Sequence, residues 1–166
     1  MNFLEQLVAE WYEYKGFFVR TNIKFGKRAA GGWEGEIDVV AFDPKKKHLI
    51  HVEASMDSYS WSERKNRFVK KFSDAKKHYK EVFDFDFNSV QNRVIVGFIK
   101  TKPKVNFSGI EVTLVPDFVQ EVTEYLSEQD PMKAAVPESY PLLRAIQFAT
   151  AYGHSTDKMI LDRIQG

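Results

Sequence analysis

The sequence lacks cysteine, any long apolar run and any excess of charge of one sign. Zero cysteines exclude disulfides and thiolate metal sites, which fits the cytoplasm but permits other compartments as well. No run approaches the roughly 18 apolar residues of a spanning helix, so we expect no membrane segment. The first apolar run contains glutamates, unlike a signal peptide. With a net charge of +1, any basic surface must arise from local clustering.

The chain has enough apolar residues for one sizeable core. It is 166 residues long, 43% hydrophobic and 14% aromatic, which is typical of one folded domain. We therefore predict a single domain, with a core over about residues 3–116 and a C-terminal helical extension over about 117–166.

Apolar periodicity divides the chain into helices and strands. Steps of three and four residues indicate helices, and alternating or β-branched runs indicate strands. The predicted elements are a helix at 2–15, strands at 17–25, 36–42 and 48–55, a helix of roughly 22 residues from Trp61, strands at 93–99 and 109–115, and helices at 117–129 and 139–153. Asp117 and Ser139 are the predicted N-caps of the last two helices. This order favours an α/β fold with a mixed central sheet.

Two carboxylates lie on the predicted strands that flank the turn DPKKK. Because side chains alternate along a strand, Glu36 and Asp38 should point one way and Ile37 the other. If the strands pair through the turn, Asp38 and Glu53 reach the same end and face of the sheet. A divalent cation such as Mg²⁺ or Mn²⁺ would offset their repulsion. The alternative is that both acids face solvent or pair with a nearby lysine.

These residues resemble a known family. The run GEIDVVA at 35–41, followed by HVEAS at 51–55, resembles the PD-(D/E)XK nuclease superfamily, whose strands carry an Asp and then a Glu-x-Lys. The run at 4–22 is similar to the first helix and strand of its Holliday-junction-resolvase branch, and Glu5 holds the place of a helix glutamate in that branch. The resemblance covers roughly residues 3–100. It implies a restriction-endonuclease-like αβββαβ core.

The chain departs from the family at the lysine. The motif Glu-x-Lys is replaced by Glu53-Ala54-Ser55, so the lysine that would stabilise the developing charge is absent from the strand. A lysine from the long helix is one replacement, and we predict Lys65, which a helical wheel places at the border of the apolar arc. The alternative is that Lys65 lays its stem on the core and keeps its ammonium in water.

The resemblance implies metal-assisted phosphodiester hydrolysis. Asp38 and Glu53 would hold Mg²⁺ or Mn²⁺, with Glu36 as a further metal contact. Glu5 either adds a ligand through water, fixes the first helix against the site, or is an ordinary exposed glutamate. His51 shares the predicted face of Glu53 and either lines the site or is structural.

The long helix is strongly basic. Residues 62–80 contain eight Lys or Arg against two acids, which favours a surface that contacts DNA phosphates. The predicted DNA-facing lysines are Lys45, Lys46, Lys70, Lys71, Lys76 and Lys77. Trp33, Tyr59 and Trp61 would stack on exposed bases. The alternative for these lysines is an ordinary solvated face.

Three functions are compatible with the sequence. The first is a metal-dependent DNA endonuclease in repair, recombination or restriction. The second is a nuclease-fold protein without catalysis that binds DNA or another protein, which the missing strand lysine favours. The third is an assembly module in which the segment at 139–152 forms a partner surface rather than a cap on the sheet. Resolvase-like relatives often work as dimers, so the resemblance also implies a homodimer.

Overall fold

The computed structural model describes residues 2–97 and 106–153. The chain forms two compact units, residues 1–116 and 117–166. The helices and strands are α1 (Phe3–Tyr14), β1 (Phe18–Lys27), β2 (Trp33–Asp43), β3 (His48–Ser55), α2 (Trp61–Val82), β4 (Ser89–Val96), β5 (Asn106–Phe107), β6 (Ile110–Leu114), α3 (Val115–Ser127) and α4 (Pro141–Tyr152). The architecture is α/β, as the order of predicted elements indicates.

The first unit contains a mixed six-stranded sheet in the order β1-β2-β3-β4-β6-β5. The strands β1, β2 and β3 are successive antiparallel neighbours. Pairing then becomes parallel from β3 to β4 and from β4 to β6, and β5 is antiparallel to β6. Because β3 and β4 are parallel, the chain must return across the sheet between them, and α2 makes this crossover.

The helices α1 and α2 cover opposite faces of the sheet. On β4, Arg93 donates a hydrogen bond of 3.0 Å to the hydroxyl of Tyr12 in α1. The next residue, Val94, joins a buried cluster with Phe68 and Phe72 of α2. Since neighbouring strand residues point to opposite faces, the two helices lie on different sides of the sheet. The α2 side also packs Leu49 and other apolar residues of β1 to β3 against the second half of the helix.

Within the second unit, a buried glutamine connects α4 to the segment before it. The side chain of Gln147 is 2% exposed; it accepts from the backbone N–H of Val136 at 2.8 Å and donates to the carbonyl of Ala134 at 2.9 Å. A buried amide needs such partners, so these bonds fix the 134–136 segment against the helix.

Some predicted boundaries were wrong. The helix α3 begins at Val115, directly after β6, so Asp117 lies in its first turn and is not its N-cap. The N-cap of α4 is Tyr140 instead of Ser139, and no side chain bonds to the helix end there. Pro141 begins α4, because proline has no N–H to satisfy and a preset φ. The strand predicted at 93–99 begins at Ser89, and residues 98–99 lie outside the described residues.

No helix in the described part of the chain is long and apolar enough to cross a lipid bilayer.

Candidate active site

The two carboxylates meet where β2 and β3 separate. The last backbone pair between these strands is Val39 with Val52, and the next step would place Asp38 opposite Glu53. Instead, Oδ2 of Asp38 accepts the backbone N–H of Ala54 at 3.0 Å. A buried strand N–H needs an acceptor, and the carboxylate replaces the missing backbone carbonyl. Because β2 and β3 separate here, the hydrogen bond from Ala54 holds the side chain of Asp38 beside β3.

The alternation of β2 breaks next to Asp38, contrary to the prediction for this strand. Ile37 and Val40 belong to the same buried cluster on the α2 side, although a regular strand would put them on opposite faces. The prediction that Ile37 and Asp38 point to opposite faces was therefore wrong. On β1, Asn22 lies opposite Asp38 in register and has a positive φ of 52°. Such a backbone is uncommon for residues other than glycine, so the irregularity spans both strands.

The ammonium of Lys71 lies between the two carboxylates. It contacts Oε2 of Glu53 and is 3.4 Å from Oδ1 of Asp38. The Lys71 side chain is 40% exposed, whereas those of Asp38 and Glu53 are 14% and 1% exposed. One partly exposed cation from α2 thus bridges two buried acids from β2 and β3.

The lysine selected from the sequence lies elsewhere. The Nζ atom of Lys65 is 5.4 Å from the ring centroid of Phe107, which lies on the edge strand β5. Lys71, which was grouped with the DNA-facing lysines, is the one that contacts the carboxylates. It follows the buried Phe68 by three residues and precedes the buried Phe72, so it lies at the border of the apolar face of α2.

A buried hydrogen-bonded chain continues from Glu53 into the core. Nε2 of His51 is 2.8 Å from Oε1 of Glu53, and Nδ1 of His51 is 2.7 Å from the hydroxyl of Tyr79. Glu53 pairs with the ammonium of Lys71 and is therefore a carboxylate, which can only accept; Nε2 thus carries the ring proton and donates a hydrogen bond to Glu53. Nδ1 then accepts from the Tyr79 hydroxyl. The sequence placed His51 on the face of Glu53, but nothing in it indicated Tyr79, which is 28 residues away.

Burial sets the protonation of this cluster. Burial, together with the charge of Glu53, raises the pKa of Asp38 to about 6. Burial also raises the pKa of Glu53, and the ion pair with Lys71 offsets this only in part. For Lys71, burial lowers the pKa, but attraction to Glu53 and Asp38 outweighs it and leaves the pKa raised. Burial lowers the pKa of His51 to about 3, so this ring is neutral at physiological pH.

The other predicted acids make local contacts. Glu5 forms the capping box of α1: its Oε2 accepts from the backbone N–H of Asn2 at 3.0 Å, and its Oε1 accepts from the Asn2 side chain at 2.6 Å. Oε1 of Glu36 accepts from the side chain of Asn22 at 3.0 Å. These contacts do not bring Glu5 into the group formed by Asp38 and Glu53.

The predicted DNA-facing lysines divide into two places. Lys45 and Lys46 lie in the β2–β3 turn, where Asp43 accepts from both backbone N–H groups. At about 3.3 Å per residue, this turn is roughly 20 Å from Asp38. The remaining lysines lie on α2: Lys70 and Lys77 pair with Asp74 at 2.5 and 2.7 Å, and Lys76 is exposed. Of these six lysines, Lys71 is the one that contacts the carboxylates.

A cleft opens beside Lys71. It has a volume of ≈ 250 Å³, and its lining includes Phe25, Gly35, Glu36, Arg67, Lys70 and Lys71. A Cβ atom on Gly35 would lie 2.4 Å from Cζ of Phe25, so the first residue of the GEID run must be glycine for the ring to pack there. Lys71 thus borders this cleft together with Arg67 and Lys70 of the same helix.

A polar network that the sequence did not indicate anchors the start of α2. Ser55, which stands in place of the motif lysine, donates to Asp57 at 2.6 Å. Asp57 also accepts from Arg64 at 2.8 Å, from Arg67 at 2.9 Å and from the backbone N–H of Tyr59 at 3.2 Å. Arg64 is 1% exposed and also donates to the carbonyl of Gly97 at 2.7 Å.

The guanidinium of Arg67 lies 4.9 Å from the ring centroid of Tyr59, so an exposed aromatic and a cation are held together near the cleft.

The carboxylates offer a limited set of metal ligands. Within residues 2–97 and 106–153, no three or more His, Cys, Asp or Glu side chains form a group that could hold a metal ion. Asp38 and Glu53 nevertheless meet on one side, where the ammonium of Lys71 already marks a position for positive charge. Mg²⁺ is commonly held by one or two carboxylates together with water and substrate phosphates. Two carboxylates are fewer ligands than a closed metal site needs, so a cation held by Asp38 and Glu53 would keep positions open for other ligands.

Comparisons with known proteins gave no match: no family model fits the chain, and no curated protein or solved structure is significantly similar to it.

Proposed function

We propose that the chain is a metal-dependent DNA endonuclease with a restriction-endonuclease-like core, in which Lys71 of α2 replaces the lysine absent from β3. The observation that carries the proposal is the contact of one ammonium group with both Asp38 and Glu53. The order of α1, β1 to β3, α2 and β4 in the first unit is also consistent with the αβββαβ core.

Each residue of the cluster has a role in this proposal. Asp38 and Glu53 provide the oxygen ligands for Mg²⁺ or Mn²⁺. When bound, such a cation supplies Lewis-acid activation of the phosphodiester and of water. Lys71, once released from Glu53, stabilises the negative charge that develops on the phosphate oxygens. The Lys71 side chain is 40% exposed, which leaves room for this movement without unpacking α2.

The DNA-facing surface in this proposal is the α2 side of the cleft. Arg67, Lys70 and Lys71 follow one another at helical spacing and line the cleft. The exposed ring of Tyr59 lies against Arg67 and offers a surface on which an unpaired base can stack. Lys45 and Lys46 would contact the backbone farther along the duplex. A homodimer and a cytoplasmic location belong to the same proposal, and sedimentation equilibrium tests the former.

Metal binding is the first test, because it needs no knowledge of the DNA substrate. Mn²⁺ is titrated calorimetrically into the wild type, Asp38→Asn and Asp86→Asn, each with and without a short DNA duplex. Asp86 is exposed, so its variant controls for the loss of one charge. We expect binding by the wild type and the control, and a loss of at least tenfold in Asp38→Asn. Equal affinity of all three proteins, or no binding even with DNA, would refute the nuclease proposal.

A second candidate function is DNA binding without catalysis. The observation that favours it is that Lys71 already contacts both carboxylates, so each acid has a cationic partner without a metal. Lys71→Met separates the two proposals, with Lys65→Met as the control on the same helix. A nuclease should lose cleavage in Lys71→Met while it binds Mn²⁺ at least as tightly as before, because a competing cation is removed. A binding module should show salt-sensitive DNA affinity and no turnover in any variant.

A further inference from the structure

The buried imidazole of His51 has no role in the chemistry proposed so far. The ring is fully buried, and its edge packs against Phe72 at a centroid distance of 4.5 Å. A buried polar ring is costly unless both nitrogens have partners, and here Glu53 and Tyr79 satisfy them. An apolar side chain would fill this space without that requirement. Packing alone therefore does not explain why this buried position is histidine.

The hydrogen bond from His51 distinguishes the two oxygens of Glu53. Oε1 is engaged by Nε2–H from the core side, and Oε2 faces Lys71 and Asp38. A Glu side chain without this donor has three rotatable bonds and would lose the fixed orientation of its carboxylate. With the proton on Nε2, the Tyr79 hydroxyl donates to Nδ1 and holds the opposite side of the ring.

We infer that His51 is a positioning residue that holds Oε1 of Glu53 and thereby directs Oε2 toward the cation position shared with Asp38, with Tyr79 holding the ring through Nδ1. This inference rests on the proposed metal site. It assigns to α2 two separate contributions to the site, Lys71 on the open side and Tyr79 on the buried side. The two residues are eight positions apart, about two helical turns, and so lie on nearby faces of α2.

A metal-free experiment tests the geometry first. Two-dimensional ¹⁵N–¹H spectra of the histidine rings report which nitrogen carries the proton. We expect His51 to be the Nε2–H tautomer, with an Nδ1 shift that changes in Tyr79→Phe. A ring protonated on Nδ1, or one insensitive to Tyr79→Phe, would overturn the inference whether or not the protein binds metal.

Metal affinity tests the consequence. His51→Leu removes the donor, whereas His51→Gln retains an N–H near the position of Nε2. We expect His51→Leu to weaken Mn²⁺ binding by about tenfold or more and His51→Gln to stay within about threefold of the wild type. If both variants change the melting temperature but bind Mn²⁺ as the wild type does, His51 is only structural and the inference fails. If the wild type itself binds no Mn²⁺, the proposed function fails, and the tautomer still tests the hydrogen-bond arrangement.

Discussion

Replacing Asp38 with asparagine should stabilise the protein at neutral pH. Burial and Glu53 raise the pKa of Asp38 from 3.8 to about 6, so the folded chain holds a proton that the unfolded chain releases. The contribution of Asp38 to the free energy of unfolding therefore falls as pH rises from about 4 to 6 and is constant above about 7. The introduced asparagine carries no charge and avoids this loss, and its amide oxygen still accepts from Ala54. At about 1.4 kcal/mol per pKa unit, the variant gains about 1 kcal/mol at about pH 4.5 and about 3 kcal/mol at about pH 7.5.

Urea denaturation monitored by tryptophan fluorescence measures this gain at both pH values. The slope against urea should stay constant, so that the midpoint alone reports stability. Asp86→Asn, which removes an exposed acid, should change stability by less than about 0.5 kcal/mol at either pH. The reasoning is refuted if Asp38→Asn is less stable than the wild type at the higher pH, or if its gain is the same at both pH values.

The remaining predictions concern the packing around the site. Arg64→Met should cost about 3 kcal/mol, because it leaves the buried carbonyl of Gly97 without its donor and removes a partner of Asp57. Arg67→Met, at a half-exposed partner of the same Asp57, should cost less than about 1 kcal/mol in the same urea titration; equal costs would contradict the argument from burial. Gly35→Ala should cost about 1–3 kcal/mol through its clash with the buried ring of Phe25. Adding Phe25→Leu should recover part of that loss, and strictly additive effects would show that the clash is relieved in another way.

Local sequence patterns predict the strands and the helix that carry the candidate site. The turn between two alternating strands sets their register, and register alone brings Asp38 level with Glu53. The helix α2 begins at Trp61, as its apolar period indicates, and Ser60 forms its capping box with Glu63. These features depend on residues close in sequence, so one sequence suffices to predict them.

The lysine depends on tertiary geometry that no local pattern contains. Lys65 is close to Ser55 in the sequence, which favours it as the replacement lysine. Which residue of α2 lies beside the carboxylates, however, depends on the path of residues 56–60 and on the tilt of the helix. One sequence feature indicated Lys71: it adjoins Phe72 and lies one turn after Phe68, and both phenylalanines are buried. A lysine between two core aromatics is held against the core, whereas an exposed one is not.

No sequence pattern indicated the irregular alternation of β2 either. Period-two alternation assumes a regular strand, and Asp38 lies where that regularity fails. The positive φ of Asn22 on the neighbouring strand is a backbone state that asparagine tolerates better than most residues, but a single asparagine does not predict it.

Because Lys71 comes from a helix while Asp38 and Glu53 come from strands, the site constrains where residues can be inserted or deleted during evolution. Lys71 lies ten residues after Trp61, about 15 Å along the axis of α2, and each added residue would turn it by about 100° relative to the residues before it. One insertion between Trp61 and Lys71 would therefore separate the lysine from Glu53. A one-residue change in the β2–β3 turn is constrained as well, because that turn sets the register that brings Asp38 level with Glu53. Among descendants that keep this site, length changes should therefore be absent from the first three turns of α2.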